Sequence, residues 1–348
     1  MTTGNPTVSI LTPTYNQEPY IAACIESVLA QSYFNWEQII IDDGSTDKTA
    51  LVVQGFSDPR IHFCRQVNRG IAALAFTYNH ALSQARGEII AILEGDDFWP
   101  PEKLSTLVPS FADEQIVLAY GLVRECASDG TLNSQLSASV SRRNCLPESI
   151  LSNSPIGSAT RYMLRADSMD LIPESTVLIR RSILDAMGGF QCVPGVSVAS
   201  YPTFLELGLS GRFHYSPAVM GYRRRHASSA SVRYFDQLLP EAERHARRFM
   251  ERHSGELRLS SSEKRQINKS WQRSKYHRHF VAGRLLLTQG QWKEARQRFR
   301  QALYPLLPRT FLASMTGWIL SGFHCDLEKV LMILGKTPLT ARKQRPAS

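Results

Sequence analysis

Apolar and polar residues alternate along the first 120 positions in blocks that predict strands and helices in turn. Five short apolar runs have the length of strands, at 8–13, 36–41, 61–64, 89–93 and 116–120. Apolar residues three and four positions apart predict helices over 21–29, 71–85 and 102–111. This alternation is typical of an α/β fold with a mostly parallel sheet and helices on both faces.

Polar or acidic turns directly follow three of the predicted strands. They are 14–17 after the first strand, Asp42 and Asp43 after the second, and Glu94, Asp96 and Asp97 after the fourth. The carboxyl ends of parallel strands meet at one edge of a sheet, which is where ligands bind in open α/β folds. We therefore expect these three turns to line one rim and to form a binding site.

The acidic turn after the fourth strand is the strongest candidate for chemistry. Three carboxylates within four residues repel one another unless a cation shares their site. Oxygen ligands alone suit Mg²⁺ or Mn²⁺ holding a diphosphate. The alternative is a solvated acidic turn that precedes a helix beginning at Pro100 or Pro101.

Charge divides the chain of 348 residues, a length that suits about two domains. Residues 1–235 carry 18 Lys and Arg against 22 Asp and Glu, whereas residues 236–348 carry 22 against 9. We expect an α/β domain over 1–235, a basic helical region over 236–336 and a disordered tail over 337–348.

Cysteine spacing and hydropathy predict the cellular location. The six cysteines lie at least nineteen residues apart, which fits neither a metal knuckle nor a disulfide scaffold. The first residues do not have the composition of a signal peptide, and the apolar tract 311–323 is interrupted and too short for a bilayer. We expect a cytoplasmic protein.

Five motifs, in order and with matching spacing, resemble the family 2 glycosyltransferases, which have the nucleotide-sugar-binding GT-A fold. The motifs are Val-Ser-Ile-Leu-Thr-Pro-Thr-Tyr-Asn at 8–16, Glu-Ser-Val-Leu-Ala-Gln-Ser-Tyr at 26–33, Ile-Ile-Asp-Asp-Gly-Ser-Thr-Asp at 40–47, Asn-Arg-Gly at 68–70 and Leu-Glu-Gly-Asp-Asp-Phe-Trp at 93–99. The similarity covers roughly residues 6–232. It implies a GT-A domain, and the pattern of residues 236–310 predicts an α-helical C-terminal region after it.

The resemblance implies a role for each matching residue. The nucleotide-binding residues would be Pro13, Thr14 and Tyr15 as the wall for the base, Asp42 or Asp43 as acceptor of the base N–H, Asn68 and Gly70 near the ribose and diphosphate, and Glu94 and Gly95 in the metal motif. The divalent ion would be held by Asp96 and Asp97, with His226 as a further candidate. The residues alone leave open an Asx turn for the Asp42–Asp43 pair, an ordinary helix start at 68–70 and a surface histidine at 226.

One position departs from the family pattern. Where the resemblance places an acidic pair whose Asp is the general base, this chain has Ala199 and Ser200. Ser200 can cap the helix that Pro202 begins, but a serine does not act as a base near neutral pH without a partner that activates it. Glu206 and Asp185 are the nearby candidates for the missing base.

The basic C-terminal region has one recognisable pattern. Residues 280–303 resemble a single tetratricopeptide unit with a Gly-x-Trp turn. The positive charge fits either peripheral contact with an anionic membrane or a solvated face. No nucleic-acid-binding motif accompanies the charge, so we expect no nucleic-acid partner.

The resemblance implies an enzyme that moves a sugar, with inversion and a Mn²⁺ or Mg²⁺ ion, from a nucleoside-diphosphate sugar to a glycan or lipid-linked acceptor. The step would belong to surface polysaccharide assembly. Because the usual base is missing, a catalytically impaired nucleotide-sugar-binding protein with a partner-recruiting tail is the alternative. A nucleotidyltransferase on a related sheet is a third hypothesis.

Overall fold

The structure is a computed structural model that describes residues 6–132, 146–147, 150, 154–166, 171–193, 199–226, 228–229, 235–304 and 308–324. The predicted tail at 337–348 lies outside these residues. The chain forms two compact units, Met1–Ser260 and Ser261–Ser348. The first two helices after residue 235 thus belong to the first unit, and the functional division at that residue stays a prediction.

Strands and helices alternate through the first unit. The strands are β1 (Val8–Thr14), β2 (Trp36–Asp42), β3 (Ile61–Arg65), β4 (Ile89–Ile92), β5 (Ile116–Ala127), β6 (Leu178–Arg180) and β7 (Arg212–Arg225). The helices are α1 (Ile21–Leu29), α2 (Thr49–Gln54), α3 (Leu74–Gln84), α4 (Lys103–Leu107), α5 (Ser158–Met163), α6 (Arg181–Ala186), α7 (Ser200–Ser210), α8 (Phe235–Arg252) and α9 (Ser254–Leu257). The second unit has α10 (Ser261–Thr288), α11 (Trp292–Gln301) and α12 (Pro308–Gly322).

The described strands form one sheet in the order β3-β2-β1-β4-β6-β5-β7. The first four are mutually parallel, and β7 is parallel to β5. Strand β6 runs antiparallel to both of its neighbours. β1, β2 and β4 are buried along their whole length, as expected for strands covered on both faces. The predicted α/β fold of the GT-A type is confirmed.

Two predicted elements differ from the structure. The helix expected over 102–111 ends as an α-helix at Leu107 and continues as the 3₁₀ helix Val108–Ala112, because Pro109 has no N–H to donate. Strand β6 was not predicted at all. This strand has only three residues, which are too few for a periodic pattern to reveal, and it leads directly into α6.

A buried carboxylate joins three elements at the amino ends of the strands. Glu37 on β2 accepts hydrogen bonds from the Ser9 hydroxyl at 2.7 Å and from the Arg86 backbone N–H at 2.7 Å. Its other oxygen pairs with the Arg86 guanidinium at 2.6 Å. Burial alone would raise the pKa of Glu37, but these hydrogen bonds outweigh it and leave that pKa below the ordinary 4.5.

Replacing Glu37 with glutamine is expected to lower the free energy of unfolding by about 1–3 kcal/mol near neutral pH, because charge-assisted hydrogen bonds are lost. A lowered folded-state pKa gives stability that is present above the unfolded pKa and lost as pH falls through the folded pKa. The difference between wild type and variant in urea midpoint should therefore stay constant from neutral pH down to about 4.5, the unfolded-state pKa, and shrink as the pH falls further, through the lower folded-state pKa. The exposed Glu114→Gln is the matched control, and a pH-independent difference contradicts the prediction.

The second unit packs three helices around one aromatic side chain. Phe299 of α11 is fully buried together with Leu287 and Ala295. A Cβ on Gly317 of α12 would lie 2.5 Å from the Phe299 ring, so only glycine allows this approach. Ala295, Phe299 and Ala302 are all fully buried, and the tetratricopeptide likeness stays a prediction.

In the part of the chain that the structure describes, none of the helices has both the length and the apolar composition needed to span a bilayer.

Candidate active site

The three polar turns lie along one edge of the sheet, as predicted. Thr14 at the end of β1 pairs with Asp42 at the end of β2. The Gly95 N–H, just beyond β4, donates to the Pro13 carbonyl at 3.2 Å. The carboxyl ends of β1, β2 and β4 therefore form a continuous rim.

The turns after β1 and β2 are joined by hydrogen bonds. The Asn16 N–H donates to the Ser45 hydroxyl at 2.9 Å, and the Thr46 N–H donates to the Asn16 side-chain oxygen at 2.7 Å. Asn16 itself has a positive φ of 50°. This turn leaves the ring of Tyr15 45% exposed at the rim, where an aromatic face is available for stacking.

The two aspartates after β2 have different surroundings. Asp42 is fully buried and accepts hydrogen bonds from the backbone N–H and hydroxyl of Ser45, while Arg65 Nε lies 3.3 Å from its other oxygen. Asp42 therefore closes its own turn. Its role in binding a base stays a prediction.

Asp43 holds the following loop in place. Its carboxylate accepts hydrogen bonds from Gln66 Nε2 at 2.7 Å and from the backbone N–H groups of Arg69 at 3.1 Å and Gly70 at 3.2 Å. The Asn68 side chain donates to the Asp43 carbonyl at 2.8 Å. The predicted nucleotide-binding residues Asp43, Asn68 and Gly70 are thus brought together.

Gly95 is required by the close approach of the acidic turn to β1. A Cβ at this position would lie 2.2 Å from Gln17 Oε1 and 2.9 Å from Thr14 Oγ1. A larger residue would displace the Gln17 side chain and crowd Thr14. The packing fixes Glu94 and Asp96 on either side of the glycine.

Asp96 and His226 meet at the rim although 130 residues separate them. His226 Nε2 lies 3.0 Å from Asp96 Oδ2, with the two side chains 8% and 17% exposed. His226 Nδ1 lies 2.7 Å from the Ser228 hydroxyl, and the imidazole packs on Tyr20 with centroids 4.6 Å apart. The predicted pair of site residues is therefore adjacent in space.

Asp97 points away from this pair. Its oxygens accept hydrogen bonds from the Arg224 backbone N–H at 3.0 Å and from the Ser175 hydroxyl. Burial, together with the charge of Asp96, raises the pKa of Asp97 to about 7, although both hydrogen bonds oppose the shift. Asp97 joins β7 and the segment before β6 to the acidic turn, and its role as a metal ligand stays a prediction.

Two side chains at the rim have donor atoms that fit a divalent ion. A carboxylate and an imidazole, from Asp96 and His226, suit an ion that takes its remaining ligands from phosphate oxygens and water. Over the described ranges, no three His, Cys, Asp or Glu side chains are grouped closely enough to hold a metal ion by themselves.

Glu94 faces a second carboxyl group. Tyr78 on α3 donates its hydroxyl to Glu94 Oε1 at 3.3 Å, and the Glu174 carboxyl group hydrogen-bonds to Glu94. Burial, followed by the negative charges of Glu174 and Asp96, raises the pKa of Glu94 well above 4.5. The neighbouring carboxyl groups therefore disfavour ionisation of Glu94.

The Gly-Gly-Phe segment after α6 is anchored beside Glu94. Asn79 exchanges two hydrogen bonds of 2.8 Å with the backbone of Phe190, and the Phe190 ring stacks on Tyr78 at 4.9 Å. Gly189 has a φ of +92°, and a Cβ there would lie 2.3 Å from Asn79 Oδ1. This segment forms an aromatic wall next to the rim.

Ser200 does not cap its helix, so that prediction is wrong. The N-cap of α7 is Ala199, which has no side chain able to cap, and Ser200 is the first helical residue. The Ser200 hydroxyl instead donates to the carboxylate of Glu174. Because Ser200 lies inside the helix and not before it, its hydroxyl is not at the position from which a side chain caps the first turn.

The two predicted base candidates have partners elsewhere. Glu206 hydrogen-bonds to His253 at 3.2 Å and lies 3.8 Å from Arg252. Asp185 is 51% exposed and pairs with Arg181 one turn earlier on α6. The carboxyl group that the Ser200 hydroxyl contacts belongs to Glu174.

Glu174 was not among the predicted site residues, because those were sought in the turns that follow the carboxyl ends of predicted strands. Glu174 precedes β6, and an antiparallel strand brings its start, not its end, to the rim formed by its parallel neighbours. Knowing that β6 is antiparallel would have identified Glu174, but the sequence of this three-residue strand does not reveal its direction.

Comparison with known proteins identifies the family. TuaG, a Bacillus subtilis glycosyltransferase assigned to teichuronic acid biosynthesis, is 38% identical over 133 residues, which are 38% of this chain and 52% of TuaG. WfgD of Escherichia coli, a UDP-Glc:α-D-GlcNAc-diphosphoundecaprenol β-1,3-glucosyltransferase, is 41% identical over 114 residues, which are 33% of this chain and 44% of WfgD. The matched region thus spans about half the length of these relatives.

The crystal structure of S. aureus TarS 1-349 is 17% identical to this chain, and the match covers 95% of this chain and 92% of that chain with a TM-score of 0.48. The sequence model of one family matches residues 9–188, more than half of the chain, and its description is glycosyl transferase family 2. The chain therefore belongs to the family 2 glycosyltransferases.

Proposed function

We propose that this protein transfers a sugar, with inversion, from a nucleoside-diphosphate sugar to a glycan or lipid-linked acceptor. The observation that carries the proposal is the rim itself, where Tyr15, the Asp43-anchored loop and the Asp96–His226 pair lie along three neighbouring strand ends. Along one rim, a stacking surface, a polar loop and a cation site supply the three kinds of contact that the base, ribose and diphosphate of such a donor need.

The donor is held mainly by residues of β1, β2 and the loop after β3. In the proposed complex, the base stacks on Tyr15 next to Pro13 and Thr14. The backbone of the loop at 68–70, fixed by Asp43, lies against the ribose. The name of WfgD specifies UDP-Glc for that relative, so a uridine nucleotide is the first donor class to test here.

Asp96 and His226 are the residues that would hold a Mn²⁺ or Mg²⁺ ion. When bound, the ion offsets the negative charge that develops on the leaving nucleoside diphosphate. The role of the chain is to aim the Asp96 carboxylate into the rim, which the glycine at 95 and the hydrogen bonds of Asp97 achieve.

Surface polysaccharide assembly is the proposed setting, because TuaG is assigned to teichuronic acid biosynthesis and WfgD is named for a diphosphoundecaprenol-linked acceptor. We also propose a cytoplasmic location with peripheral membrane contact. Residues 236–348 carry 22 basic and 9 acidic side chains, and anionic lipid attracts basic segments by about 1 kcal/mol per charge near the surface.

A nucleotide-sugar-binding protein that does not turn its ligand over is the second candidate, which the serine at position 200 favours. One experiment separates the two. Calorimetric titration with UDP-sugars and Mn²⁺ measures binding, and an assay of the same samples measures free UDP. Binding with UDP release supports the transferase, and binding without release in the presence of lipid-linked or glycan acceptors supports the binding protein. No metal-dependent binding of any nucleotide sugar contradicts both.

A further inference from the structure

The missing acidic residue at position 200 leaves the transfer reaction without an evident proton acceptor. General acid–base catalysis is typically worth about 10²–10⁴-fold in rate, so an active enzyme needs a replacement. The inference that follows rests on the proposed transferase function. It concerns Glu174, a residue that no motif of the sequence brought to attention.

The backbone around Glu174 is fixed by several elements. Residues Glu174–Thr176 form a short 3₁₀ turn directly before β6. The backbone carbonyl of Ser175, the residue after Glu174, accepts hydrogen bonds from Trp99 Nε1 at 2.6 Å and from Lys103 Nζ at 2.8 Å. The Ser175 hydroxyl donates to Asp97, so the turn is tied to the acidic turn after β4.

The side chain of Glu174 lies between the two halves of the site. On one side it hydrogen-bonds to Glu94, which belongs to the metal motif. On the other side it accepts a hydrogen bond from the Ser200 hydroxyl at the start of α7. Glu174 remains partly exposed, whereas Ser200 is buried, so the carboxylate and not the hydroxyl is open to a ligand.

The pair of Glu174 and Ser200 replaces a single aspartate at position 200. A serine is too short to reach a substrate as a carboxylate would, and its hydroxyl donates to the carboxylate that arrives from the neighbouring turn. A glutamate side chain is one methylene longer than an aspartate, which lets it reach this place from another element. The chain thus keeps a carboxyl group here.

We propose that Glu174 is the general base of the transfer reaction and that Ser200 is the residue that positions it. The Glu174 carboxylate accepts the proton of the acceptor hydroxyl while that oxygen forms a bond to the anomeric carbon of the donor sugar. The bond from the anomeric carbon to the phosphate oxygen breaks, and its electron pair leaves with the nucleoside diphosphate. The proton on Glu174 then passes to solvent.

Glu174→Gln tests the proposal because it keeps the size and hydrogen-bonding shape of the side chain. Transfer and UDP release should fall by about 10²–10⁴-fold, while the Kd for the UDP-sugar with Mn²⁺ stays within about twofold. The matched control is Glu88→Gln, an exposed glutamate at the opposite end of β4, which should leave both quantities unchanged. Glu206→Gln tests the rival base in the same assay.

A second pair of variants guards against a folding defect. Glu174→Asp retains a carboxylate and should keep at least about tenfold more activity than Glu174→Gln. Ser200→Asp in the Glu174→Gln background returns a carboxylate to the usual position and should restore transfer by a similar factor. A loss confined to kcat, with rescue by either carboxylate, supports the base.

Two results overturn the assignment of Glu174 alone. In the first, the wild type releases UDP, and the Glu174→Gln variant either is equally active or loses donor binding while its catalytic rate is unchanged. The other is loss of activity in Glu206→Gln but not in Glu174→Gln. A wild type that binds UDP-sugars but releases no UDP with any acceptor overturns the transferase proposal, and the base with it.

Discussion

Replacing Asp96 with asparagine is expected to lower sugar transfer on the order of 10³-fold and to abolish the Mn²⁺ dependence of donor binding. Asparagine fills the same space but removes the charge that faces His226 at 3.0 Å. The effect should be specific to ligands with a diphosphate. Binding of UMP, which lacks the second phosphate, should be unchanged. Titration of UMP, UDP and a UDP-sugar, each with and without Mn²⁺, measures the difference.

Asp97→Asn separates the two neighbouring carboxylates. Because Asp97 accepts hydrogen bonds from Ser175 and Arg224, its loss should lower the thermal midpoint more than Asp96→Asn does. Asp113→Asn, at an exposed carboxylate paired with Arg212, is the neutral control. If Asp97→Asn loses Mn²⁺ dependence and Asp96→Asn keeps it, the assignment of the ion to Asp96 is wrong.

Replacing Asp43 with asparagine should instead weaken every nucleotide alike, by about 10–100-fold, equivalent to about 1–3 kcal/mol. The variant loses acceptors for the N–H groups of Arg69 and Gly70, so the loop at 68–70 is no longer held against the ribose. The loss should be the same for UMP and a UDP-sugar and the same without Mn²⁺. The titration series used for Asp96 measures it.

The control for Asp43 is Asp58→Asn, which removes a carboxylate paired with Arg60 before β3. It should leave all affinities within about twofold. If Asp43→Asn weakens only the binding of diphosphate ligands in the presence of Mn²⁺, the expected role of Asp43 is contradicted. Asp43 would then act on the diphosphate, as Asp96 does. The two sets of variants therefore divide the rim into a nucleoside half and a diphosphate half.

The rim was predictable because its signals are local in the sequence. A buried strand followed by a polar turn identifies a strand end, and β1, β2 and β4 are parallel, so their ends coincide. The difference between Asp96 and Asp97 was not predictable. Adjacent carboxylates look equivalent in a sequence, and their partners, His226 for one and Ser175 for the other, come from distant elements.

For the proposed general base, the sequence predicted only that the usual acidic residue is missing. The sequence shows that position 200 lacks an acid, but the partner of its hydroxyl depends on the direction of β6, which its neighbours in the sheet determine. The capping prediction failed for a different reason. A local rule favoured the N-cap position for Ser200, but the helix begins at Ser200 itself, and the hydroxyl donates to Glu174.

The insertion of β6 between β4 and β5 also has a consequence for the order in which the protein folds. By residue 97 a growing chain contains every strand of the nucleoside half and all three acidic side chains after β4. The groups that Asp96 and Asp97 contact, at positions 175, 224 and 226, emerge roughly 80 to 130 residues later. Because distant contacts cost more chain entropy to form than local ones, we expect the acidic turn to stay without these partners until β6 and β7 dock, and the reactive half of the site to be the last part of the domain to assemble.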